Sequence, residues 1–171
     1  MLRQKLNEIA ENGNPSSHSR LIDALRAQHP HAIKALVHDT QYGFTCVMHA
    51  LGIVDDQEYV RMALSCPSDV FASTEFVHFL IDGGYLIEKS PPEPGLLIAY
   101  FDNGRVRHIG RMLSDSRVES KWGMGNLYEH ELFEVPMSYG SDVRYFAPLP
   151  SDQAVKLFAK FALSKGIDVE P

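Results

Sequence analysis

The stretch QYGFTCVMHALGI, Gln41 to Ile53, holds the residue in this chain best placed for covalent chemistry. Cys46 follows Thr45, a good helix N-cap, and opens an apolar run that Gly52 can stop. This order puts the thiol in the first turn of a helix, where free backbone N–H groups and the macrodipole favour the thiolate. Such a thiolate attacks a carbonyl when a base stands within hydrogen-bond reach. Two other readings of Cys46 stay open. A free cysteine packs as a small hydrophobe, and Val47, Met48, Ala50 and Leu51 are ready core neighbours. Cys46 and His49, three positions apart on one helix, could begin a metal site completed by His29, His31, His38 or His130, although no ligand pair recurs at a zinc-like spacing.

The base is sought in RVRHIGRML, residues 105–113. Strict alternation predicts Val106, His108, Gly110 and Met112 on one face of a strand, with Arg105, Arg107, Ile109, Arg111 and Leu113 on the other. Three arginines mark the second face as solvated, so His108 is expected to point inward. An inward imidazole needs a partner for each ring nitrogen. In the next strand Val118, Ser120 and Trp122 share the inward face, and Arg117, Glu119 and Lys121 the outward one. Ser120 is therefore expected beside His108. Glu119 is the better orienter of an imidazolium by chemistry but points the wrong way. Trp122 and the pair Tyr139-Gly140 could line a cleft or complete the core. Glu129-His130-Glu131 lacks the second histidine of a zincin motif and reads as a solvated strand or turn.

Helical elements must carry the cysteine and a sheet the histidine. Leu2, Leu6 and Ile9 share a helical face that Gly13 to Pro15 terminates, and Leu21, Ile22 and Leu25 mark a second helix capped at Ser16 or Ser17. AIKALV is ambiguous between helix and strand. DDQEYVRMAL reads as a helix with an acidic start, broken at Pro67, and Ser73 or Thr74 opens another that ends at Gly83-Gly84. From Tyr85 the pattern alternates: YLIEKS is a strand, LLIAYF-DNG-RVRHIGRML a hairpin, RVESKW and DVRYFAPL further strands. Ser151 caps a last amphipathic helix that carries Val155, Leu157, Phe158, Phe161 and Ala162. Helices followed by an antiparallel meander make an α+β pattern.

Bulk properties narrow the function classes. The 171 residues fit one domain with a sizeable core, and 44 % hydrophobic against 22 % charged residues is a globular composition. A formal charge of -6 argues against nucleic-acid binding through general basicity. No run approaches the roughly 18 apolar residues of a membrane span. The N-terminus lacks the apolar stretch of a signal peptide, so a cytoplasmic protein with reduced Cys46 and Cys66 is expected.

A cysteine at a helix start, a histidine on the second strand of a hairpin, and a polar residue twelve positions later on the next strand resemble the papain-fold cysteine hydrolases, closest to the bacterial NlpC and CHAP amidases and peptidases. TCVMHAL supplies Cys46, RHIGRML supplies His108, and RVESKWG supplies Ser120. SKWG…LYEHELFEVPMSYG is also similar to bacterial papain-like proteins with an SKLG…EH stretch after the histidine strand. The likeness runs from Gln41 to Phe146. It implies a papain-like fold within a single domain, 1–171: an N-terminal helical segment (1–40), the papain-like core (41–146) and a C-terminal helix (151–166). It implies thiolate acyl transfer on a peptide or amide, with Cys46 as nucleophile, His108 as base and Ser120 as third residue. His130 and Glu119 are the substitutes for that third role, Gln41 the oxyanion donor, and Tyr42 and Trp122 the cleft residues. No cofactor or metal is implied. The chain departs from the NlpC pattern in having Thr-Cys-Val-Met where Asp-Cys-Ser-Gly is usual, and Ser120 where His, Asn or Gln is usual. The rival expectation is a protein-interaction module that keeps the fold without the catalysis.

Overall fold

A computed structural model describes residues 1–12, 14–36, 43–71 and 73–169. Gln41, Tyr42 and His38, assigned above to the oxyanion site, the cleft and a metal set, lie outside the described residues. The helices are α1 (Leu2–Asn12), α2 (His18–Leu25), α3 (Cys46–Leu51), α4 (Gln57–Leu64), α5 (Ser68–Phe71), α6 (Glu75–Asp82) and α7 (Ser151–Ser164). The strands are β1 (Lys34–Leu36), β2 (Glu88–Lys89), β3 (Leu97–Asp102), β4 (Arg105–Met112), β5 (Arg117–Lys121), β6 (Leu127–Glu131) and β7 (Asp142–Phe146). They form one antiparallel seven-stranded sheet in the order β1-β6-β5-β4-β3-β7-β2. The fold is α+β, as the order of helical and alternating segments predicts. Among the described residues no helix is long and apolar enough to cross a membrane.

Both faces of the sheet are covered, and this decides where the site residues go. On one face α3, α4, α6 and α7 pack a core that includes Leu97, Ala99, Phe101, Val106 and Ile109 of the sheet. Its aromatic centre is Phe158, whose ring meets those of Tyr59 at 4.8 Å and Phe76 at 5.4 Å. On the other face α1 and α2 bring Leu6 and Ile22 against Ile98, Tyr100, Met112, Val118, Trp122 and Tyr128. Every residue from Leu97 to Phe101 is accordingly buried. A sheet clad on both sides carries apolar residues on both sides of its strands, so alternation there separates two interiors and not interior from solvent.

Local chemistry explains the helix ends. Asp56 caps α4 by accepting the N–H of Tyr59 at 2.9 Å, and the Ser73 hydroxyl accepts the N–H of Glu75 ahead of α6. Ser151 turns out to be the first residue of α7, with Pro150 as its cap. The ambiguous AIKALV contains β1, paired with β6, and YLIEKS keeps only Glu88 and Lys89 as strand.

Candidate active site

Thr45 is extended and its hydroxyl accepts the N–H of Met48 at 3.3 Å, which starts α3 at Cys46. Gly52 ends the helix in the left-handed conformation at φ +70, where a Cβ would also meet Arg111 Nη2 at 2.7 Å. The half-buried Cys46 packs against the larger core. Burial pushes its thiol pKa up; backbone N–H groups of Ile109, Val47 and Cys46, and the charge of Lys121, pull it back down. Cys46 and Ile109 share the larger core, so the thiol lies on the Ile109 side of β4.

The expected alternation holds from Met112 back to His108 but not to Val106. Tyr100 pairs with His108 but Phe101 pairs with Val106, so Arg107 is the extra residue of a β-bulge. The bulge sends Val106 into the core under α3, α6 and α7 and leaves His108 in register with Tyr100, on the opposite face. There the imidazole stacks on Tyr139, centroids 4.0 Å apart and planes 15° from parallel. Its Nε2 is buried with no hydrogen-bond partner. Burial, with the nearby His130 and His49 opposing a second positive charge, holds the His108 pKa well below the usual histidine range. The resting pair is thus a neutral thiol and a neutral imidazole, with no hydrogen bond from the thiol to Nε2.

Ser120 is buried on the His108 side of the sheet, but its hydroxyl is bonded elsewhere. Trp122 Nε1–H donates to Ser120 Oγ at 3.0 Å, and Ser120 Oγ lies 2.8 Å from His130 Nε2. His130 Nδ1 is 2.8 Å from the Glu131 carbonyl, which can only accept, so Nδ1 carries the proton and Nε2 accepts from Ser120. Ser120 has only one hydrogen, and it is spent on His130. Burial pushes the His130 pKa down to about 4. The segment Glu129-His130-Glu131, expected as a solvated strand or turn, is the end of strand β6, but its solvation is corrected at His130, which is 0 % exposed. So is the cleft role of Trp122, whose ring is enclosed in the smaller core 4.5 Å from Tyr128.

The face expected to be solvated is the one that holds α3. Glu119 points to this helix and its Oε1 lies 2.9 Å from His49 Nε2, which engages both the alternative orienter and the alternative metal ligand. Arg111 Nε donates to the Ala50 carbonyl at 2.9 Å, and Ile109 is fully buried. Lys121 is only 7 % exposed; its ammonium donates to the carbonyls of Gly123 at 2.7 Å and Gly125 at 2.6 Å. Among the described residues no group of three or more His, Cys, Asp or Glu is placed to hold a metal.

A cavity of about 480 Å³ opens beside the start of α3, lined by Leu36, Phe44, Thr45, Phe71, Lys121 and Met124 among others. Sequence reasoning missed Lys121 and the stacking role of Tyr139. The nearest signals were the glycines at 123 and 125, which let the backbone fold back onto the ammonium, and the Tyr139-Gly140 pair. Comparison with protein-family models, curated proteins and solved structures finds no match to this chain.

Proposed function

We propose that the protein is a papain-like cysteine hydrolase, of the NlpC and CHAP amidase-peptidase type, in which Cys46 and His108 carry out acyl transfer on an amide. The observation that supports this most is that α3, with Cys46 in its first turn, packs on β4, which carries a buried His108 whose Nε2 has no hydrogen-bond partner. In the reaction the His108 imidazole, released from its stack on Tyr139, takes the thiol proton. The sulfur then forms a bond to the carbonyl carbon. Backbone N–H groups at Cys46 and Val47 hold the oxyanion. The imidazolium returns the proton to the departing amine as the carbon–nitrogen bond breaks, and water, deprotonated by the same imidazole, cleaves the thioester. A neutral resting pair suits this sequence, because the proton moves only when a carbonyl is in place. Neither substitute for the third role is free to orient His108: both ring nitrogens of His130 are engaged, with Ser120 and the Glu131 carbonyl, and Glu119 is on His49.

The test is acylation by p-nitrophenyl acetate. An acetyl thioester mapped to Cys46, formed with release of nitrophenol and slowed in His108→Ala, is the expected result. No adduct, or equal adducts at Cys46 and Cys66, would overturn the reading. A second reading, a protein-interaction module without catalysis, is favoured by one observation: the His108 ring rests on Tyr139, on the face of the sheet opposite α3.

A further inference from the structure

Lys121 is a buried cation for which the acyl-transfer steps have no use. Its ammonium has three hydrogens, and two are donated to the carbonyls of Gly123 and Gly125. Beyond these it meets the face of the Phe44 ring at 5.3 Å and the field of Cys46. Among the described residues no carboxylate pairs with it. Carbonyl dipoles and a π face soften the desolvation of an ammonium, but they do not neutralise it, and buried charges in proteins are as a rule paired.

The place of this charge gives it a purpose. Among the described residues lining the 480 Å³ cavity Lys121 is the one charged side chain, and the other walls include the apolar Leu36, Phe44, Phe71, Met124 and Leu127. The cavity also reaches Thr45, the residue before the nucleophile. Apolar walls keep the dielectric low, so an anion entering here feels the ammonium strongly although the chain as a whole carries a charge of -6.

We propose that this cavity is the receptor for a carboxylate carried by the substrate, with Lys121 as the charge that selects it. The inference rests on the hydrolase reading and adds the substrate class: an amide bearing a carboxylate near the carbonyl that Cys46 attacks. It differs from a role in which Lys121 only steadies the Cys46 thiolate. Such a role would speed every electrophile alike, whereas a receptor favours the anionic one.

Iodoacetate and iodoacetamide separate the two, since each is displaced at carbon by a thiolate with loss of iodide and they differ in a carboxylate against an amide. The quantity read is the iodoacetate-to-iodoacetamide rate ratio at Cys46 divided by that at Cys66 in the same folded sample. This quotient is expected to be about fivefold or more in the native protein at low salt, and to fall toward one at high salt. It is expected to fall likewise in Lys121→Met and Lys121→Gln, the second retaining polarity in case the first fails to fold. A quotient near one in the native protein would overturn the receptor even if neither variant folds, and so would a quotient unchanged in a folded variant. If Cys46 reacts rapidly with both reagents at a quotient near one, the receptor fails alone and the hydrolase reading stands. If neither reagent reaches Cys46, both fail.

Discussion

The imidazole of His108 lies face to face with the phenol ring of Tyr139, 4.0 Å between centroids, on the side of the sheet that its register with Tyr100 gives it. Tyr139 ends the turn Met137–Tyr139 and is followed by Gly140 at φ +93, where a Cβ would collide with the Phe101 carbonyl. The stack is therefore fixed from the backbone outward. Tyr139→Phe keeps the ring and forgoes only the hydroxyl, so a loss of no more than about 1 kcal/mol is expected. Tyr139→Ala removes the ring and is expected to cost about 2–4 kcal/mol in urea denaturation. It should also move the His108 Cε1–H resonance by loss of the ring current. Equal stability and an unmoved resonance in the two variants would contradict the stack.

Ser120 holds the Trp122–Ser120–His130 chain together, so its removal is expected to appear first as lost stability. Ser120→Ala leaves the Trp122 N–H and His130 Nε2 buried without partners, at about 1–3 kcal/mol each. Equilibrium unfolding should record a loss of about 2–5 kcal/mol. A variant within about 0.5 kcal/mol of the native protein would mean that the chain is not what Ser120 is for.

The same burial makes the fold sensitive to acid. His130 titrates near 4 in the folded protein against 6.5 for an ordinary histidine, and His108 is lowered in the same direction. Between those values the unfolded chain binds protons that the folded one excludes. Folding free energy is therefore unaffected by these groups above about pH 6.5 and falls as the pH drops below it, by up to about 1.4 kcal/mol per pH unit for each histidine. For His130 the loss levels off once the pH passes below its folded pKa. Denaturation curves at about pH 7.5, 6 and 5 should show this slope, and His130→Gln should reduce it by one histidine's share. An unchanged slope in that variant would remove His130 from the account of acid sensitivity.

The helix around Cys46 was legible because its signals are local: Thr45 caps, Gly52 stops, and the apolar run between them packs. The hairpin around Asn103-Gly104 was legible for the same reason, with both residues at positive φ. The inward facing of His108, in one row with Gly110 and Met112, was legible from the alternation; the facing of Val106 was not. It depends on Arg107 being left out of the β3–β4 register, and nothing in RVRHIGRML marks which residue bulges. Counting arginines also misled, since Arg111 has its guanidinium on the Ala50 carbonyl at the end of α3, not in water. His130 looked solvated between two glutamates, yet the neighbouring strand and Trp122 enclose it. Gly110 has a reason visible only in three dimensions: a Cβ there would lie 2.8 Å from the Glu119 carbonyl oxygen and 2.8 Å from Ser120 Cβ.

The central claim is that Cys46 and His108 act as one chemical unit, and the rate of iodoacetamide labelling at Cys46, with Cys66 as the internal reference, tests it most directly. In the native protein near neutral pH, Cys46 is expected to react faster than Cys66, and His108→Ala is expected to slow Cys46 by about tenfold or more while leaving Cys66 unchanged. Equal and slow labelling of both thiols, indifferent to His108→Ala, would contradict it.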